Sequence, residues 1–154
     1  MFLGTYLVSV TSGKRISIPS IFRQKLGSTV ILAKWYENCL VLTNSESWAS
    51  LLERVTGTQR LIVEPIRETE HFIFASAFEI EVDDQGRIVL PDRLIIYASL
   101  EEVVYFLGVG DRVEIWSKKF WDKKELEVAV NAASYIEILA NDTTKYRLDE
   151  KKIK

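Results

Sequence analysis

The chain has 154 residues, 47% hydrophobic and 27% charged, which is ordinary for a soluble globular protein of one domain or two small modules. No apolar run approaches the ~18 residues of a bilayer-spanning helix, the opening MFLGTYLVSV has no basic stretch ahead of its apolar residues as a secretory signal would, and the lone Cys39 cannot close an internal disulfide. The net charge of −2 hides a segregation: residues 1–36 hold five basic side chains and no acidic one, while residues 37–116 hold 15 acidic against 6 basic, so one part of the chain can attract a polyanion.

The chain repeats itself. YLVSVTSGKRISIPSIFRQKL from Tyr6 returns 72 positions later as FEIEVDDQGRIVLPDRLIIYA from Phe78. Val10 answers Val82, Arg15 answers Arg87, Ile16 answers Ile88 and Pro19 answers Pro91. At an offset of 73, Leu40 answers Val113, Leu42 answers Ile115 and Trp48 answers Trp121.

In chain order, the first copy opens with a strand ending at the turn TSGK, followed by the short strand RISI. Pro19 then suits the first position of a short helix, SIFRQKL. TVILAKW reads as a buried strand, YEN as a tight turn and CLVLT as its partner strand. Thr43 and Glu46 fit a capping box for the helix that closes the copy. Thr56 to Arg60 reads as loop, and Pro65 opens a linking helix through about Ala75.

The second copy shows the same logic more sharply. Phe78, Ile80 and Val82 alternate with Glu79, Glu81 and Asp83, the period of a half-buried strand. The turn DDQG, the strand RIVL and the helix DRLIIYA behind Pro91 follow, then strands VVYFLGV and RVEIW about the turn GVGD. A longer helix runs from Ser117 to about Leu139, and the polar, lysine-rich end from Asn141 is expected to fray. The class is α+β with short strands, duplicated. The expected divisions are a first hairpin module over 1–55, a linking loop and helix over 56–76, a second module over 77–123, and a C-terminal helix and tail over 124–154.

Arg15 and Arg87 each follow a turn and precede apolar strand residues, near the tip of a two-stranded ribbon. Such a ribbon fits the major groove, where arginine can bond guanine O6 and N7 together. A competing reading has each arginine bonding its own turn, and for Arg87, beside Asp83 and Asp84, the two readings are evenly matched. Lys14 reads as a phosphate contact or a solvated turn lysine. Arg23 and Lys25, on the short first helix, read as phosphate contacts or, as the favoured reading, as solvated surface.

The strand–turn–strand–Pro module, its two copies, the phrases FLGTY and GVGDRVEIW and the closing tryptophans resemble the MraZ family, from Met1 to about Asn131. The resemblance implies a double swapped-hairpin, β-barrel-like fold related to AbrB-type regulators. It further implies rings of eight or twelve protomers, binding short tandem repeats of double-stranded promoter DNA. Such rings would repress the division and cell-wall gene cluster together with their own gene, in the cytoplasm at the nucleoid. The family marks each DNA-reading loop with Asp-x-x-x-Arg. The second loop keeps the motif as Asp83-Asp84-Gln85-Gly86-Arg87; in the first, Thr11 replaces the aspartate, Gly13 stands one place early and Lys14 occupies the glycine slot. Lys14, Arg15, Gly86 and Arg87 are therefore the candidate DNA contacts, with Thr11, Gly13 and Asp83 supporting the loops. Because lysine resists the positive φ that glycine tolerates, the first loop is expected to adopt a different turn or to be looser. A rival reading is a ring-forming interaction module that has lost specific DNA recognition.

Other residues point to less. His71 lacks cysteine or carboxylate partners at metal spacing, and Cys39 lies at a strand start with no nearby base. The crowd of Glu79, Glu81, Asp83 and Asp84 lacks the spacing of a calcium loop. Trp48 and Trp121 are expected as matched core anchors. No nucleophile–base pair, phosphate-cradling glycine loop or metal constellation is legible. Hence no enzyme, cofactor, metal, membrane or small-molecule substrate is expected.

Overall fold

A computed structural model describes residues 1–57 and 63–150, so residues 58–60 of the expected loop and the last four residues lie outside what is described. The first copy contains β1 (Phe2–Ser9), β2 (Arg15–Ser17), α1 (Ser20–Leu26), β3 (Thr29–Trp35), β4 (Cys39–Thr43) and α2 (Ser45–Thr56). α3 (Glu64–Ile73), with Pro65 in its first turn, and a 3-10 turn over Phe74–Ser76 lead into the second copy. That copy contains β5 (Phe78–Glu81), β6 (Arg87–Val89), α4 (Asp92–Ala98), β7 (Val103–Gly110), β8 (Val113–Ser117) and α5 (Lys118–Glu150). The chain falls into two compact units, Met1–Lys118 and Lys119–Lys154.

Within the first unit the two copies exchange their hairpins. A six-stranded antiparallel sheet runs β1-β7-β8-β4-β3-β5, and β2 pairs only with β6. Thus β1 of the first copy lies on β7 of the second, while β5 of the second lies on β3 of the first. An approximate two-fold passes through the pairs Ile16↔Ile88 and Val41↔Glu114. On either side of it repeat-equivalent residues trade partners, Leu40 with Ile115 and Leu42 with Val113. The chain therefore has the duplicated swapped-hairpin α+β fold.

The burial pattern explains the exchange. β2 and β6 are three residues each, too short to form a stable hairpin alone. Their inward residues Ile16 and Ile88 are buried in one shared cluster, together with Ile18 and Leu90, Phe22 and Leu94, and Leu26 and Ala98. Each of these is a repeat-equivalent pair, so one core is assembled from two half-sets of the same apolar positions. Phe2 and Tyr6 of β1 pack edge-on against Phe22, with ring centres 5.8 and 5.1 Å apart. Fully burying a side chain of this size contributes ~1.5–3 kcal/mol, which neither half-set secures without the other.

Several local features differ from the sequence reading. The cap of α2 is Asn44, whose Oδ1 accepts the Ser47 N–H at 2.8 Å; Thr43 is the last, buried residue of β4, so no capping box forms. α5 begins at Lys118 because Ser117 completes β8, and it runs on to Glu150 instead of stopping near Leu139. No glycine follows Gly110 and no proline follows Pro91, so nothing in the sequence terminates that helix. Trp48 and Trp121 are half-buried; the buried indoles are Trp35 and Trp116. Beside them Glu114, only 8% exposed, is satisfied by Arg112 at 2.9 Å and by the Trp116 Nε1–H at 2.9 Å, with Arg112 over the Trp35 ring. A buried carboxylate needs such partners to be tolerated at all.

Candidate nucleic-acid interface

The exchange of hairpins creates a two-stranded antiparallel ribbon from β2 and β6. With Ile16 and Ile88 pointing inward, period 2 sends Arg15, Ser17, Arg87 and Val89 to the outer face. Arg15 stands opposite Val89 and Arg87 opposite Ser17, so the two arginines are diagonal neighbours on one solvent face. That relation separates their Cα atoms by roughly 7–8 Å. Backbone bonds lengthen the ribbon symmetrically: Ile18 N–H donates to Gly86 O at 2.9 Å and Leu90 N–H to Lys14 O at 2.8 Å. Each loop therefore abuts the far end of the other copy's strand.

The second loop is tightly specified. Asp83 Oδ1 accepts the N–H groups of Gln85 and Arg87, both at 2.9 Å, and Oδ2 accepts Arg87 Nε–H at 2.9 Å. The Arg87 backbone N–H, followed by its side chain and the Gln85 N–H, holds the Asp83 carboxyl below the ordinary carboxylate range against some desolvation. Gly86 closes the turn at φ +76° with its N–H on Asp83 O. The spacing Asp-x-x-x-Arg thus has a physical meaning: one carboxylate organises the loop and aims the arginine.

The first loop departs in sequence but not in backbone. Thr11 N–H donates to Arg15 O and Lys14 N–H to Thr11 O, both at 2.9 Å, matching the Asp83–Arg87 and Gly86–Asp83 bonds. The expectation of a different turn is therefore wrong. Lys14 itself adopts the left-handed conformation, φ +57°, at a cost of ~1–2 kcal/mol relative to glycine. Its ammonium pairs with Asp92 at the start of α4, which anchors the side chain in that position. The repeat-equivalent residues, Gly86 and Ser20, form no such pair. Thr11 supports the turn more weakly than Asp83, with Oγ1 3.3 Å from the Arg15 N–H. A hydroxyl cannot hold a guanidinium as a carboxylate does, and among the described residues the Arg15 guanidinium has no hydrogen-bond or ion-pair partner.

Arg23, favoured above as solvated surface, instead has a partner in the second loop. From α1 it reaches across the copy boundary and donates from Nη1 to Gln85 O at 3.1 Å. It lies so close over Gly86 that a Cβ there would stand 1.7 Å from Nη1. The hairpin exchange brings α1 to the second loop, so nothing local to Arg23 indicates that partner. Lys25 points elsewhere and donates to Met1 O at 2.5 Å.

The remaining candidates do not converge on this face. Cys39 is fully buried; desolvation first, and then Glu114, push its thiol far up, which leaves it unreactive. His71 is exposed, 3.8 Å from Glu68. Among the described residues no group of three or more His, Cys, Asp or Glu is placed to hold a metal, and no helix is long and apolar enough to cross a membrane.

Comparison with known proteins finds one family. The family model of the MraZ protein matches residues 73–146. The transcriptional regulator MraZ of Acetivibrio thermocellus is 40% identical over 140 residues, covering 91% of this chain and 97% of its own. That of Caldanaerobacter subterraneus is 37% identical over 141 residues, covering 92% and 98%. That of Alkaliphilus oremlandii is 41% identical over 123 residues, covering 80% and 85%.

Proposed function

We propose that this chain, which belongs to the MraZ family, is a transcriptional regulator that binds double-stranded promoter DNA with the outer face of the β2–β6 ribbon. The observation that carries the reading is the placement of Arg15 and Arg87 as diagonal neighbours on that face, with the Arg15 guanidinium uncommitted. A two-stranded ribbon matches the ~12 Å width of the major groove, and arginine is the side chain that bonds guanine O6 and N7 together.

The two loops divide the work. Arg15 reads a base, while Arg87 arrives pre-aimed by Asp83 and gives up part of its charge to that carboxylate. Lys14 and Arg23 approach phosphates on either side, and Gly86 lets the second loop lie close to its neighbour. Thr11, Gly13 and Asp83 support the turns. Substituting threonine for aspartate at position 11 removes a negative charge beside Arg15, which strengthens phosphate attraction.

One ribbon makes few base contacts, so a single protomer binds weakly. A ring of protomers facing short tandem repeats turns later contacts into intramolecular events, raising avidity by roughly 10²–10⁴. Occupied repeats upstream of the division and cell-wall gene cluster, and of the chain's own gene, would exclude polymerase. On this reading the protein acts in the cytoplasm, at the nucleoid.

The test is a fluorescence-anisotropy titration against the DNA upstream of the protein's own gene, with a scrambled control, across a salt series. Preferential binding to the upstream fragment, retained at ~150 mM salt and lost in Arg15→Ala, is the expected result. Equal, steeply salt-dependent binding to both fragments would leave phosphate attraction alone and favour a protein-interaction module.

A further inference from the structure

A cleft of about 90 Å³ opens beside the ribbon's supporting elements, between β3, α3, β5 and α4. Its rim carries three nitrogen bases, Lys34, His71 and Arg93, and its interior is lined by Phe72, Phe78 and Leu94. No carboxylate lines it. Glu68 stands 3.8 Å from His71 Nδ1 but outside the lining. Among the described residues neither Lys34 nor Arg93 has a carboxylate partner; the Lys34 ammonium instead rests 5.1 Å from the centre of the Tyr97 ring. Tyr97 is itself fixed, its hydroxyl donating to Trp35 O at 2.5 Å and its ring edge-on to Phe72. Ser76 ties the far wall to β3, its Oγ accepting the Lys34 N–H at 3.0 Å and donating to Ile73 O at 2.9 Å.

Cations around an apolar floor select an anion with an apolar body. Its volume of about 90 Å³ leaves room for an alkyl group of a few carbons once the headgroup stays at the rim. We propose that the cleft between β3, α3, β5 and α4 binds a short-chain aliphatic carboxylate, with its headgroup on Lys34 and Arg93 and its alkyl group against Phe72, Phe78 and Leu94. α4 carries Arg93 next to Asp92, the partner of Lys14, so an occupant acts one residue from the anchor of the first loop. Any consequence for DNA rests on the reading above; the binding site does not.

The experiment titrates the ¹⁵N-labelled full chain, without DNA, with isobutyrate, isobutanol and inorganic phosphate. Isobutyrate is expected to shift the Phe72 and Phe78 amides saturably. Isobutanol, which lacks the charge, and the Lys34→Gln/Arg93→Gln chain should each bind at least ~tenfold more weakly, with the variant's spectrum unchanged elsewhere. Absence of saturation, equal binding of the alcohol, or tighter binding of phosphate at the same amides overturns the proposal. A DNA titration with and without isobutyrate then separates the two readings. A chain that binds isobutyrate but no DNA keeps the site and loses the regulator, whereas one that binds DNA but not isobutyrate does the reverse.

Discussion

Replacing Gly86 by alanine tests whether the exchanged hairpin holds the second loop as tightly as its geometry implies. Two costs are separable. Alanine at φ +76° is strained by ~1–2 kcal/mol, whatever surrounds it. In addition the new Cβ would stand 1.7 Å from Arg23 Nη1 and 2.4 Å from its Cδ, so Arg23 must leave and its bond to Gln85 O is broken. Losing a hydrogen bond of this kind removes ~0.5–1.5 kcal/mol, with the lower end apt for an exposed site. The expected total is ~1.5–3.5 kcal/mol in urea denaturation, read as a lower midpoint at constant slope. Arg23→Ala alone should cost only the second part, and Gly86→Ala placed in the Arg23→Ala chain should cost only the first. The double-mutant cycle therefore has a coupling of ~0.5–1.5 kcal/mol. Strict additivity would refute the reasoning, because it would mean that Arg23 does not press on Gly86.

Four further outcomes are expected. Arg15→Ala should weaken binding to the upstream DNA more than Arg87→Ala, because Asp83 already engages Arg87; anisotropy titrations showing an equal or larger loss at Arg87 would reverse the assignment. Asp92→Asn frees Lys14 and should strengthen DNA binding while costing no more than ~1 kcal/mol of stability, as for other exposed ion pairs; weaker DNA binding in the same titration would contradict it. Asn44→Ala removes the cap of α2 and should cost ~0.5–2 kcal/mol in urea denaturation, whereas Thr43→Val should lose no capping bond. The support Asp83 gives the second loop is present above the ordinary carboxylate value of ~3.9 and is lost as pH falls through its lower folded-state value. The Gln85 and Arg87 amides should accordingly titrate with a midpoint below ~3.9, and a midpoint at or above that value would remove the carboxylate from its assigned role.

Much of the fold can be read from the duplication, because alternation and proline placement locate the strands and short helices of each copy. TVILAKW, CLVLT, SIFRQKL and DRLIIYA are elements at those boundaries. The partnering of strands cannot be read this way. Nothing near β1 indicates that it lies on β7 and not on its own copy, since both choices bury the same alternate residues. The position of Arg15 and Arg87 on the ribbon was legible because each follows a turn and precedes apolar strand residues, whereas nothing local to Arg23 indicates a partner 62 positions away. The first loop misled for a different reason: propensity argues against a left-handed lysine, yet Lys14 adopts that conformation with its ammonium held by a carboxylate 78 positions away.

The ion pair of Lys14 with Asp92 has no counterpart between Gly86 and Ser20, so the ribbon has two unlike ends. Paired identical chains would present the same corner twice and suit an inverted repeat, whose two halves mirror the protein's own symmetry. Here a single polypeptide supplies both corners, and each has been free to diverge from the other. On the proposed reading, a duplex lying across this ribbon would meet a lysine-bearing corner at one end and a glycine corner at the other, so its two directions would not be equivalent to the protein.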